Sequence, residues 1–218
     1  MSDYHCFVDD FPRRCCGLLN AFFKQATIRD REVTLLLMAC SSGIVIPLER
    51  LGEGKSIKQP ELDRNRFARA AEHLDGQLSD QIGHSASFGD ALMSWRGGQL
   101  NSAVGTPDTW PELDNLRALQ PSTTVEEIVR ILRNSLAHGN IFTRANAKKE
   151  IGEVIFVSGG TNRRTGKEIP CSLLVVTPEQ LRAFLVIWFS SLASLLSSEP
   201  IATETIDYAS SVLPDEPA

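Results

Sequence analysis

Arg133, Asn134 and His138 are the residues of this chain whose types and spacing suit them to joint chemistry. They stand in Arg133-Asn134-Ser135-Leu136-Ala137-His138-Gly139-Asn140, which closes a strongly periodic segment. A guanidinium is permanently cationic and pairs with phosphate oxygens. An imidazole that titrates near neutrality can take a proton from a ribose 2′-hydroxyl. An amide beside them can orient the histidine or bond to the phosphate. Such a set suits phosphoryl transfer on RNA, with Arg133 offsetting the charge that builds in the transition state. No metal is needed, and His5-Cys6 alone is too small a ligand set to hold one. No other cofactor is expected.

A helix must position these groups. It is expected to begin near Val125, capped by Thr123 or Thr124, with Glu126 and Glu127 favourably placed in its first turn. Val125, Ile128, Val129, Leu132 and Leu136 recur at helical spacing and form one core stripe. Gly139 suits the C′ position that ends the helix. From the centre of the stripe, Arg133 lies about 80° around the axis, Asn134 about 180° and His138 about 220°. Asn134 and His138 are i,i+4 neighbours. Because His138 lies opposite the stripe, it is not a core histidine. It is a C-terminal cap whose imidazolium meets the helix dipole, an exposed residue without a role, or a general base.

The other elements frame this helix. Residues 7–25 read as a first helix, interrupted early by Pro12, with Leu18, Leu19, Phe22 and Phe23 on its apolar face. Residues 30–51 read as a second, mostly buried helix with a kink near Pro47. Residues 52–121 are rich in Gly, Ser and Pro. They read as an irregular insertion between helices, with one helix over 60–78 and with Trp95 and Trp110 as packing anchors. The runs 153–158 and 171–177 are short and β-rich, joined by a polar loop over 159–167, and so form a small hairpin. A last helix starts at Pro178 with Thr177 as its cap.

The apolar stretches 33–48 and 183–198 are shorter than the roughly 20 residues a membrane span needs. They are expected to be buried bundle helices, with no membrane association. One helical domain over 1–200 is expected. Periodicity fades from Ser197, and 201–218 is expected to be a flexible tail. The fold class is therefore mainly α, a four- to five-helix bundle with an inserted segment and a small β-hairpin before the last helix.

The 218-residue chain has a net charge of −5, which does not suit a sequence-independent binder of duplex DNA. The charge is uneven. Over 141–170, Arg144, Lys148, Lys149, Arg163, Arg164 and Lys167 outnumber Glu150, Glu153 and Glu168. Arg163, Arg164 and Lys167 are candidates for RNA contact. The five cysteines include no CxxC pair, which excludes a zinc ribbon or thioredoxin-like site. With no signal peptide, the reducing cytoplasm is the expected compartment.

Arg133-Asn134-x-x-x-His138, within Leu132-Arg-Asn-Ser-Leu-Ala-His-Gly-Asn-Ile141, resembles the R-x4-6-H signature of the HEPN superfamily, in which a polar residue often follows the arginine. Pro47-Leu48-Glu49-Arg50, Trp95 and the hairpin before the last helix are similar to a HEPN-like group found on plasmids. The resemblance implies a HEPN-like helical bundle and a homodimer whose motifs face a shared cleft. It further implies metal-independent endoribonuclease activity that leaves a 2′,3′-cyclic phosphate, in a toxin–antitoxin or anti-phage defence role. RNA is then the substrate, and an antitoxin or regulatory protein a further partner. His138 would be base or proton shuttle, Arg133 the phosphate clamp and Asn134 the orienter. Many toxins paired with a nucleotidyltransferase carry R-x4-H-x-Tyr. Asn140 stands in the tyrosine's place here, so regulation through that residue is not carried over. Other HEPN-like proteins have lost activity and serve as nucleotide-, RNA- or protein-binding dimer modules, which is the alternative reading.

Overall fold

The structure, a computed structural model, describes residues 7–51, 64–101, 105–159 and 170–196. The expectations for His5-Cys6, for the helix start before residue 64, for the loop after Gly159 and for the 201–218 tail lie outside these residues. The helices are α1 (Phe7–Ile28), α2 (Glu32–Cys40), a π-helical turn (Ser41–Val45), α3 (Ile46–Leu51), α4 (Arg64–Ser79), α5 (Gly89–Leu92), α6 (Val125–His138) and α7 (Pro178–Leu196). The strands are β1 (Arg96–Leu100), β2 (Arg117–Ala118), β3 (Ile141–Ala145), β4 (Ile151–Ser158) and β5 (Cys171–Val176). Helix accounts for more than half of the described residues.

The expected small hairpin, β4–β5, is the centre of a larger sheet. All five strands pair antiparallel in the order β2-β1-β5-β4-β3. The segment expected to be an irregular insertion supplies β1 and β2, which corrects that reading. The reason lies in the two central strands, whose apolar runs are continuous instead of alternating. Val154, Phe156, Leu174 and Val176 join the helical core on one face. Ile155, Val157, Leu173 and Val175 pack with Leu100, Trp110 and Leu113 on the other. A strand buried on both faces needs a layer on each, and residues 105–119 form the second layer. Trp110 meets Phe142 edge-on there, with ring centroids 4.9 Å apart.

The main core is built around α7, whose Phe184, Leu185, Trp188 and Phe189 are fully buried. Trp95 anchors the segment before β1 by packing edge-on against Phe184 at 5.2 Å. Thr177 caps α7 as expected: its hydroxyl accepts from the Gln180 N–H at 3.2 Å, and the Gln180 side chain accepts from the Thr177 N–H at 2.8 Å.

Two expectations for the first helices change. Pro12 lies buried within α1 and does not interrupt it. Of the four residues assigned to its apolar face, Leu19 is buried and Phe23 half-buried, while Leu18 is 55% and Phe22 54% exposed. Each exposed residue is one position, about 100°, away from a core-facing one. α1 packs along a single stripe against α7 and α2, and that stripe does not reach Leu18 or Phe22.

The second helix is broken by the π-helical turn that precedes Pro47, and not by a kink at the proline itself. Proline has no N–H, so the Gly43 carbonyl four residues earlier loses its usual donor. The Trp188 indole N–H donates to that carbonyl at 2.8 Å. Gly43 also has to be glycine, since a Cβ there would sit 2.0 Å from the Phe189 ring. By length and composition the stretch 32–49 is apolar enough to cross a membrane, and only 33% of it is buried. Val33, Leu36, Cys40 and Ile44 face the core while Met38 is exposed, so "mostly buried" holds for one side of this segment only.

Replacing Gly43→Ala should destabilise the fold by about 1–3 kcal/mol through overpacking against Phe189. Trp188→Phe should cost at least as much, since it leaves the Gly43 carbonyl buried without a donor. Chemical denaturation measures both; an unchanged midpoint for Gly43→Ala would contradict the contact.

Candidate functional site

Helix α6 is pinned at both ends. Thr124 accepts from the Glu127 N–H at 3.2 Å, and Glu127 accepts from the Thr124 N–H at 3.1 Å, a reciprocal capping box. The start is tied to the end of α4, where the Ile82 N–H donates to Thr123 at 2.8 Å and the Val125 N–H to Asp80 at 3.0 Å. At the other end Gly139 adopts φ +68°, the left-handed conformation that favours glycine. The N–H of Asn140 then reaches the Ser135 carbonyl at 2.9 Å. β3 begins one residue later, and the Val157 N–H of β4 donates to the Asn140 carbonyl at 3.0 Å.

Val125, Ile128, Val129 and Leu132 face the core as expected, but Ser135 is fully buried and Leu136 only half-buried. The buried stripe is rotated toward β4, against which α6 packs. The Ser135 hydroxyl satisfies itself locally by donating to the Ile131 carbonyl at 2.7 Å.

The rotation brings the polar side of α6 to the end of the sheet. Arg133 donates through Nη1 to the Asn134 Oδ1 at 3.2 Å and through Nη2 to the Glu49 carboxylate on α3. The Asn134 amide donates in turn to the Ser158 hydroxyl at 3.2 Å, on the last residue of β4. The guanidinium is thus held between α3 and the sheet. A guanidinium has five N–H donors, and those not used here have no partner among the described residues. With side chains 42% and 37% exposed, the Arg133–Glu49 pair contributes at most about 1 kcal/mol of stability. It serves more to orient the arginine than to stabilise the fold.

His138, on the last turn, is exposed, and neither ring nitrogen has a partner among the described residues. The structure therefore joins Arg133 and Asn134 directly and leaves His138 one turn away. The hydrogen bonds of the Asn134 side chain among the described residues go to Arg133 and Ser158. Arg163, Arg164 and Lys167 lie outside the described residues. The ends of their segment are placed, however: Ser158 pairs with Ser172 across β4 and β5, beside Asn134. Arg144 belongs elsewhere. It donates to Glu153 at 2.7 Å and faces Asp114 at 3.6 Å, in a network that Arg96 joins through the same glutamate.

Glu49 and Ser158 are site residues that sequence reasoning missed. Glu49 is visible in the sequence as the first charge after an apolar run, and Ser158 as the end of a β-rich run. Neither position announces a partner 84 or 24 residues away. The described cysteines are poor nucleophiles. Burial raises the thiol of Cys15, beside Cys16, to about 11 and pushes those of Cys16, Cys40 and Cys171 upward. No group of His, Cys, Asp and Glu among the described residues is arranged to hold a metal.

An Arg-Asn pair and a terminal histidine on a capped helix, set in a helical core, mark a HEPN-type domain. The chain matches the family described as HEPN pEK499 p136 over residues 1–195 and belongs to that family. No curated protein and no solved structure gives a significant match.

Glu49→Gln and Ser158→Ala should each change folding stability by no more than about 1 kcal/mol, because these contacts are only partly buried. Thermal unfolding tests this, and a much larger loss would make the contacts structural.

Proposed function

We propose that this chain is a metal-independent endoribonuclease that acts as a homodimer. The observation that carries the reading is the arrangement of α6: a guanidinium held by Glu49 and Asn134, one turn before an exposed histidine with no partner among the described residues. In the reaction, neutral His138 takes the proton of a ribose 2′-hydroxyl. The 2′-oxygen attacks the adjacent phosphorus, the P–O5′ bond breaks, and the leaving oxygen is protonated by imidazolium. The products are a 2′,3′-cyclic phosphate and a 5′-hydroxyl. In a dimer the second His138 is the natural acid. Arg133 clamps the phosphate as its charge builds, and Asn134 with Ser158 keeps the guanidinium in place. Arg163, Arg164 and Lys167 add positive charge for the RNA backbone. A toxin or anti-phage effector in the cytoplasm, restrained by an antitoxin or regulatory protein, is the setting this activity fits.

A second reading also has an observation in its favour. Arg133 is already paired with a carboxylate, as expected in a HEPN-like module that binds nucleotide, RNA or protein without cleaving it.

The test is incubation of the protein with total RNA and transfer RNA in EDTA, followed by end-group analysis. Wild type should cut and leave cyclic phosphate. His138→Ala should lose about 100-fold or more, the usual contribution of a general base, and Arg133→Ala a comparable factor. Equal cutting by wild type and His138→Ala would refute the role of His138. Folded dimers that bind RNA without cutting it would favour the second reading. Cleavage should also survive alkylation of the thiols, since no cysteine takes part.

A further inference from the structure

Six large apolar side chains among the described residues are conspicuously exposed, and four of them, Leu18, Phe22, Ile28 and Met38, stand on α1 and α2. The other two, Met93 and Ile151, are isolated on separate elements and need no explanation. Residues 29–31 join α1 and α2 into a helical hairpin, with Asp30 in the left-handed region at φ +52°. Phe22 lies six residues before the end of α1 and Met38 six residues after the start of α2, so the antiparallel hairpin brings them level. Both helices pack on α7, which leaves their exposed sides as one outer surface.

The middle of that surface carries no charge. From Cys15 to Phe23, and again from Val33 to Leu48, the chain has no Asp, Glu, Lys or Arg. Charges of both signs stand at the ends of the hairpin. Asp10 is near the start of α1, and the exposed turn carries Arg29 and Arg31 with Asp30 between them. A centre depleted of charge within a polar rim is the make-up of a protein interface. The mixed rim does not suit an anionic lipid surface, which selects a basic one, or a partner charged with one sign. It does suit a second copy of itself. With a two-fold axis midway between Leu18 and Phe22, near Asn20, α1 meets the α1 of the other copy antiparallel. Leu18 of each copy then opposes Phe22 of the other. Asp10 comes to the turn, where two positive charges outnumber one negative. Arg13 and Arg14 already have partners within the chain, so the pairing does not call on them. The hairpin face is roughly 30 Å long and about 20 Å wide. It offers about 600 Å² per copy, which reaches the lower bound for a specific interface.

We propose that two copies of this chain pair through the outer face of the α1–α2 hairpin, each covering Leu18, Phe22 and Met38 of the other. Neither α1 nor α2 packs against α6, which meets the π-helical turn instead. The face is therefore separate from Arg133 and His138, and pairing here is additional to any contact that brings two His138 together. The ionic part of the pairing weakens with salt while the apolar part does not.

The experiment uses the full chain, and no readout depends on RNA cleavage. Sedimentation velocity over a dilution series should show Leu18→Glu with Phe22→Glu at half the mass of wild type at high concentration, while Met93→Glu keeps the wild-type mass. A second measurement places the photoreactive residue benzoylphenylalanine at position 22, and in a control at position 93. In a mixture of unlabelled and nitrogen-15 chains, irradiation should give isotopically mixed links from position 22 to α1 or α2, several-fold more than from position 93. Raising the salt should lower the yield partially. Links confined to one chain would overturn the proposal in favour of the chain's own segments covering the face. Links lost on adding phosphatidylglycerol vesicles, with the protein sedimenting with them, would overturn it in favour of a lipid surface. Links no more frequent than from position 93, or a doubly substituted chain that keeps native circular dichroism and the wild-type mass, would overturn it as well.

Discussion

The carbonyl of Gly43 has to be satisfied because Pro47 supplies no N–H to it, and the indole of Trp188 is the group that satisfies it. Much of the structure depends on this one hydrogen bond. It fixes the depth at which α7 crosses the broken second helix, with Phe189 pressed against the space that a side chain at position 43 would fill. It also accommodates the π-helical turn. Such a turn holds one more residue than an α-helical turn, so α3 is rotated by about one residue step, roughly 100°, relative to an unbroken helix. Glu49 lies on α3, and that rotation sets its direction toward Arg133. A defect in backbone pairing deep in the core therefore decides what an arginine at the surface touches.

The polar contacts at the site form a chain across three elements: Glu49 on α3, Arg133 and Asn134 on α6, Ser158 on β4. Contacts of this kind at a half-exposed position add little to stability. What they change is side-chain freedom, since an arginine held at two points has fewer rotamers open to it. Glu49 is a resident anion beside the cation. In the proposed reaction a phosphate approaches through the guanidinium donors that have no partner among the described residues.

The extent to which the sequence was legible follows from the range of the interactions. α6 is set by local chemistry: the Thr124 cap, the apolar spacing from Val125 to Leu132, and Gly139 at the exit are all within a few residues of what they control. The Thr177 cap of α7 was legible for the same reason. The sheet was not. β4 and β5 announce themselves by β-rich runs, but Arg96-Gly97-Gly98-Gln99 has no strand signature and is a strand only because β5 needed a neighbour. The continuous apolar runs of β4 and β5 did carry the missing information, since a strand apolar on both faces must be covered twice. The sides of α1 were misjudged because adjacent leucines and phenylalanines look equivalent in sequence, while the packing partner accepts one of each pair. At the site, residue types pointed to Arg133, Asn134 and His138, but Glu49 and Ser158 became visible only through tertiary contact.

The pairing of Ser158 with Ser172 has a consequence for divergence within the family. The two strands are held in register up to that pair, and the chain between Gly159 and Pro170 leaves and re-enters at fixed points. Insertions, deletions and changes of charge between those points cost the sheet nothing and do not move the partner of Asn134. Relatives can therefore alter the length and basicity of this stretch freely while the arginine stays in place. In the endoribonuclease proposed above, preference for one RNA over another can drift there while Arg133 keeps its partners.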